Sequence, residues 1–245
     1  MKSVTRIVLA LAVCAFVAPA FAGGDWTGQL RFGVSYFTAT SNGTGALEYV
    51  DDPGYVYTHV KAKAKSSAGL YVGYEHKFSP LIGLEGYTGY YKPKFSLEDI
   101  DYGGSLFNSN EASATVIPLG VALNFHLVKS DKVDVYVGPT VAYLFYGKPK
   151  FTYDEGDNGL AGTLTVKLKN ELAYGLVAGV DVQFPSKWNL AFRLSYLQAK
   201  ADIDEIKDDW IYTGDGIETG TYYESLSEGF KPNPLTFTVG AGFKF

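Results

Sequence analysis

The feature that most constrains this chain is a two-residue alternation of apolar with small or polar side chains. Leu190, Phe192 and Leu194, for example, are separated by Ala191 and Arg193. Similar segments of about ten residues begin near positions 26, 68, 82, 117, 134, 172 and 235. Because residues two apart lie on one face of a β-strand, each segment predicts a strand with one apolar face.

The length of these segments indicates what the strands could cross. A strand of about ten residues, rising ~3.3 Å per residue and tilted by about 45°, spans roughly 23 Å, which is close to the apolar band of an outer-membrane barrel. No segment after residue 22 reaches the roughly 18 consecutive apolar residues expected of a membrane-spanning helix. If the chain crosses a membrane, it does so with strands.

Short and long connections between the segments alternate along the chain. The short ones are 79–81, 128–132 and 185–187, and the long, polar ones are 39–66, 93–112, 147–164 and 201–232. This order predicts an all-β fold, an eight-stranded antiparallel up-and-down transmembrane β-barrel with short periplasmic turns and long extracellular loops. Within the last long loop, residues 202–209 are a candidate for a short helix over the barrel mouth.

The less apolar face of the segments decides which side touches lipid. It consists mainly of Gly, Ala, Ser, Thr, Tyr, Asn and Gln, with too few charges for a surface in water. The other face is rich in Leu, Val and Phe, with Trp26, Trp188 and Phe184 near the short turns and Tyr36 and Tyr196 near the long loops. Two aromatic girdles of this kind are expected at the two membrane interfaces. The alternation thus favours a membrane barrel over a soluble, lipocalin-like one.

The first 22 residues have the order of a secretory signal. Lys2 and Arg6 precede an apolar run over residues 7–17, and Ala20 and Ala22 supply the small residues before a cleavage site. We therefore expect a cleavable signal peptide over 1–22, Sec-dependent export, and a barrel domain over 23–245, inserted as a monomer in the outer membrane of a Gram-negative-type cell.

Charged side chains on the inward face occur at similar depths from the short-turn end. They are Arg31, Glu75, Glu85, Asp134, Asp181 and Arg193. An unpaired buried charge is costly, so we expect these residues to form one network that plugs the barrel base or filters solutes.

Further from the short turns the inward face becomes apolar. Phe37, Tyr71, Tyr87, Tyr91, Leu144 and Leu197 are candidates for an outward-opening pocket for small hydrophobic molecules, or for simple core filling.

The closing strand carries a resemblance to a known family. Residues 233–245 read NPLTFTVGAGFKF and end in Phe243 and Phe245, a pattern similar to the signal read by the outer-membrane assembly machinery. This ending, together with Tyr136-Val137-Gly138-Pro139 and Arg193-Leu194-Ser195-Tyr196, resembles the outer membrane protein W family. The resemblance implies eight strands, an outer-membrane location and passage of small hydrophobic molecules.

Composition removes several other functions. The formal net charge of −5 disfavours a nucleic-acid partner, and 1 Cys and 3 His leave little for a metal site. We expect no catalytic residues, no metal and no cofactor, and outer-membrane lipid and lipopolysaccharide as surroundings. The sequence leaves two functions open: a channel or pocket for small hydrophobic molecules, and a non-transporting structural or surface-interaction barrel with a plugged lumen.

Overall fold

The computed structural model describes residues 27–41, 43–49, 56–99, 111–155, 160–213, 217–226 and 231–245. The expected signal peptide and Trp26 lie outside these residues, and so remain predictions. Along the described ranges, no helix is long and apolar enough to cross a membrane.

The described residues form sixteen β-strands. In chain order they are β1 (Thr27–Ala39), β2 (Gly43–Tyr49), β3 (Val56–Ala64), β4 (Ser67–Lys77), β5 (Ile82–Tyr91), β6 (Lys94–Asp99), β7 (Glu111–Ser113), β8 (Val116–Lys129), β9 (Val133–Tyr146), β10 (Lys150–Glu155), β11 (Leu160–Leu168), β12 (Glu171–Gln183), β13 (Trp188–Gln198), β14 (Ile203–Tyr212), β15 (Glu218–Leu226) and β16 (Pro234–Lys244).

Eight of these strands close into an antiparallel barrel, which confirms the predicted fold class. The order around the barrel is β1-β16-β13-β12-β9-β8-β5-β4, and β1 closes the cylinder by pairing with both β16 and β4. Closure leaves no strand edge unpaired, as a sheet surrounded by hydrocarbon requires. The connections after β4, β8 and β12 are the short turns that the sequence predicts.

The long connections are not loops throughout, which corrects the sequence prediction. They contain the other eight strands, which form a second sheet in the order β10-β11-β14-β15-β2-β3-β6-β7, the distal sheet. Pairing also continues from one sheet to the other: the Ala114 N–H donates to the Pro93 carbonyl (3.1 Å), between the last pair of β5 with β8 and the first pair of β6 with β7. The strand pairs of the barrel thus continue beyond it.

The helix expected over residues 202–209 is wrong, because most of this segment lies in β14. Ile206 of β14 pairs with Val166 of β11, and both side chains are buried in an apolar cluster with Phe151 and Leu164. A helix would bring the acidic residues of this segment to several faces, whereas the strand lets Ile206 pack inward. Burial of one sheet face therefore decides the conformation.

Tyr146, at the end of β9, connects the interiors of the two sheets. It packs against the apolar cluster of the distal sheet and against two clusters in the barrel lumen, one containing Leu144 and Val177 and the other Phe37 and Val116. The apolar interior is therefore continuous from the distal sheet into the upper half of the barrel.

Candidate functional site

Arg31 lies at the centre of the charged layer inside the barrel. Its Nη2 donates hydrogen bonds to Glu75 Oε2 (2.7 Å) and Asp181 Oδ2 (2.8 Å), and its Nη1 lies 3.5 Å from Glu85 Oε1. Gln29 also donates to Asp181, at 2.9 Å. The Arg31 guanidinium on β1 thus joins three carboxylates, on β4, β5 and β12, across the lumen.

Arg193 on β13 extends the layer toward the upper lumen. Its Nε lies 3.4 Å from Glu85 Oε2, and its guanidinium stacks 4.5 Å from the Tyr87 ring centroid and 5.0 Å from that of Tyr71. The Tyr71 hydroxyl donates to Glu85. Arg193 therefore joins the charged layer to the aromatic side chains above it.

The structure adds two residues that the sequence reasoning missed, Lys77 and His126. Lys77 Nζ lies 2.5 Å from Asp134 Oδ2, while the His126 ring lies between Asp134 Oδ1 (2.6 Å from Nδ1) and Glu75 Oε1 (3.1 Å from Nε2). Lys77 lies two residues after Glu75, and His126 lies two residues after Asn124, so both occupy the inward face of their strands. This alternation could have identified them from the sequence. The His126 ring thus links Asp134 to Glu75, and Glu75 in turn binds Arg31.

The layer balances its charges only when His126 is protonated. It contains four carboxylates, Glu75, Glu85, Asp134 and Asp181, against the cations of Arg31, Arg193 and Lys77. Each nitrogen of His126 faces a carboxylate oxygen, and only the imidazolium has a proton to donate at both positions. A proton on each ring nitrogen would supply the fourth positive charge, although the Lys77 Nζ also lies 3.4 Å from His126 Nδ1.

Glycines let the aromatic rings complete this layer. A Cβ at Gly179 would overlap the ring of Tyr136, and one at Gly120 would overlap that of Tyr87. The Tyr136 ring in turn lies 4.8 Å from the Arg31 guanidinium. None of the six charged side chains predicted for this network is more than 3% exposed. The layer therefore fills the lower lumen with packed charges and rings.

The six residues predicted for an apolar pocket all line one cavity directly above the charged layer. They are Phe37, Tyr71, Tyr87, Tyr91, Leu144 and Leu197, and Arg193 forms part of the floor. The cavity measures about 20 Å³, room for about one water molecule. These side chains leave little space between them, so the cavity is far smaller than a small hydrophobic molecule.

The outward face is apolar and ends in two aromatic belts. Phe78, Phe184, Trp188 and Phe245 are exposed near the short turns, and Tyr36, Tyr90, Tyr174 and Tyr196 are exposed near the distal sheet. Phe243 packs edge-on against Trp188, with ring centroids 5.0 Å apart. Both residues proposed as the assembly signal, Phe243 and Phe245, thus belong to the lower belt.

Comparison with protein families decides where such a barrel belongs. The model of the OmpW family matches residues 34–245, which include seven complete barrel strands and the last six residues of β1. This chain belongs to the OmpW family. Membership places this OmpW-family barrel in the outer membrane, surrounded by lipid and lipopolysaccharide.

One solved structure shows the same fold, and a second also matches. The outer membrane protein OprG of Pseudomonas aeruginosa matches with a TM-score of 0.62 and 15% identity, over 89% of this chain and 95% of that one. Escherichia coli outer membrane protein W matches with 16% identity over 89% of this chain and 97% of that one, with a TM-score of 0.36. No curated protein matches the chain.

The candidate site, within the described residues, is made of charged and aromatic side chains. Within them, no group of three or more His, Cys, Asp or Glu side chains is arranged to hold a metal ion. The site therefore consists of the charged layer and the aromatic cavity above it.

Proposed function

We propose that this OmpW-family barrel binds small apolar molecules in its upper lumen, above a charged layer that closes the lumen to ions. The observation that carries the proposal is the convergence of Phe37, Tyr71, Tyr87, Tyr91, Leu144 and Leu197 on one cavity. Apolar walls over a polar floor are typical of sites for small hydrophobic ligands.

The apolar interior of the distal sheet supports a route to this cavity. Tyr146 packs against the apolar clusters on both sides, so an apolar molecule entering from the distal end meets apolar side chains as far as the charged layer. Because the cavity holds only about 20 Å³, binding requires the aromatic side chains to rotate apart. Phe37 and Tyr91, whose ring centroids are 5.5 Å apart, are two of the lining side chains that would have to separate.

Methyl NMR of the protein in lipid nanodiscs, titrated with decanoate, tests the proposal. Leu144 and Leu197 should shift saturably, because they line the cavity. Leu194 lies on the opposite, exposed face of β13 from Leu197. It provides the control for decanoate that merely partitions into the bilayer. Shifts confined to Leu194 and other lipid-facing residues would contradict the proposal.

A pair of tryptophan variants separates filling of the cavity from a general effect. L197W fills the cavity and should abolish the saturable shift at Leu144, whereas L127W, at a residue that is 66% exposed on the outer face, should leave it unchanged. Heat-dependent gel mobility of both variants verifies that the barrel has folded.

The tight packing favours a second candidate, a sealed structural barrel that presents the distal sheet at the cell surface. In that case decanoate leaves Leu144 and Leu197 unshifted, and the aromatic cluster contributes only to stability.

A further inference from the structure

A groove of about 370 Å³ lies on the outer wall of the barrel where β12 and β13 approach the distal sheet. Leu172, Tyr174 and Tyr196 form its barrel side, and Lys200 and Lys231 lie on its distal side. We call this space the interfacial groove. Its barrel side faces outward, because Leu172, Tyr174 and Tyr196 lie on the outward face of their strands.

The groove forms where the barrel ladder is interrupted. Pairing of β12 with β13 ends at Tyr174 and Gln198, and pairing of β13 with β16 ends at Tyr196 and Leu235. The next backbone hydrogen bond runs from the Lys169 N–H to the Asp202 carbonyl (2.8 Å). Between these points the pairing of the strands is interrupted, and the residues that line the groove lie at this interruption.

The two sides of the groove differ in chemistry. Tyr174 is 61% exposed and belongs to the upper aromatic belt, which marks the boundary between hydrocarbon and lipid headgroups. Lys200 and Lys231 lie beyond that belt, are exposed, and form no ion pair with another described residue. Glu171, the one acidic residue in the lining, alternates with Leu172 and so occupies a lumen-facing position of β12.

We propose that the interfacial groove binds the phosphorylated headgroup of an outer-leaflet glycolipid. Lys200 and Lys231 would contact the phosphate, and Leu172, Tyr174 and Tyr196 would contact the first part of an acyl chain. Charge complementarity carries the proposal, since two exposed lysines line the groove together with exposed apolar side chains of the upper aromatic belt. The volume accommodates a headgroup portion with a few methylenes, while the remaining chains stay in the bilayer.

Native mass spectrometry of the full barrel, titrated with diphosphoryl lipid A, measures this interaction. The double variant K200Q/K231Q should bind lipid A about 30-fold more weakly, because each basic residue facing an anionic lipid contributes about fivefold. The matched control K132Q/K187Q removes two exposed lysines from the turns at the opposite end of the barrel and should bind as the wild type does. Equal binding by K200Q/K231Q and the wild type would overturn the proposal.

Two further comparisons test the apolar half and the type of lipid. Y174A should weaken lipid A binding, whereas Y90A, which removes an exposed belt tyrosine outside the groove, should not. Phosphatidylglycerol should bind more weakly than lipid A and with less dependence on the two lysines. If phosphatidylglycerol binds equally well with the same dependence, the groove recognises any lipid phosphate and the assignment to a glycolipid is wrong.

Discussion

Arg31 and Asp181 are separated by 150 positions in the sequence, yet the Arg31 Nη2 donates a hydrogen bond to Asp181 Oδ2 at 2.8 Å inside the barrel. The contact joins β1 to β12 across the lumen, and Arg31 binds Glu75 on β4 with the same nitrogen. A plug of this kind is made by side chains alone, without an inserted loop or helix in the described part of the chain.

Removal of the central guanidinium should strongly destabilise the barrel. R31Q leaves Asp181 and Glu75 buried without their main cation, and we expect the free energy of unfolding to fall by about 3–5 kcal/mol. Urea unfolding of the refolded protein in lipid vesicles measures the change. D181N should cost less. The amide oxygen that replaces the carboxylate still accepts from Gln29, and Arg31 keeps its hydrogen bond to Glu75. A loss below about 1 kcal/mol in R31Q would show that the network contributes little.

Because Gly179 packs against the Tyr136 ring, substitutions at these two positions should have non-additive effects on the free energy of unfolding. G179A forces the Tyr136 ring off Arg31, so it should cost about 1–3 kcal/mol, whereas in a Y136A background the added methyl group has space. A double-mutant cycle measured by urea unfolding gives the interaction. Equal costs of G179A in both backgrounds would mean that the position of the Tyr136 ring does not require the absence of a side chain at Gly179.

The barrel could be predicted from the sequence because each of its strands has one face in lipid, which gives long, clean alternation. The distal strands were missed because most of them are shorter than the barrel strands, and because charged and small residues interrupt their apolar alternation. In β3, Lys61 and Lys63 alternate with Ala62 and Ala64, a pattern that is typical of a solvated loop as well as of a strand.

The charged residues of the lumen were identifiable by their depth, but their partners were not. Strand tilt and register decide that Glu75 contacts both Arg31 and His126, and neither can be read from one sequence. The same holds for the cavity, since alternation indicates which side chains point inward and not how completely they fill the space. Its volume of about 20 Å³ follows from packing in three dimensions.

Glu111 of the distal sheet should titrate below its ordinary range. Hydrogen bonds from Lys65 and Lys94 lower the pKa of its carboxyl. A lowered pKa in the folded state means that this interaction stabilises at neutral pH and is lost as the pH falls through the folded-state pKa. An NMR titration should place the pKa of Glu111 below the ordinary range of a glutamate, and K65Q/K94Q should return the pKa to that range. A titration unchanged by K65Q/K94Q would contradict the assignment of the cause.

The proposed role of the terminal phenylalanine in assembly can be separated from its role in stability. Phe245 and Phe184 are similarly exposed in the lower belt, at 61% and 51%, so F245A and F184A should have similar effects on the stability of the refolded protein. In cells, F245A alone should reduce the amount of heat-modifiable barrel in the outer membrane. Equal reductions in both variants would indicate a packing effect and not recognition by the assembly machinery.

Planar-bilayer recording of the wild-type barrel at neutral pH examines the closed charged layer itself. With Arg31, Arg193 and Lys77 paired to four buried carboxylates, we expect no steady open-channel current over the usual range of voltages. A stable, ohmic conductance through the wild-type protein would contradict the closure of the lumen by this layer.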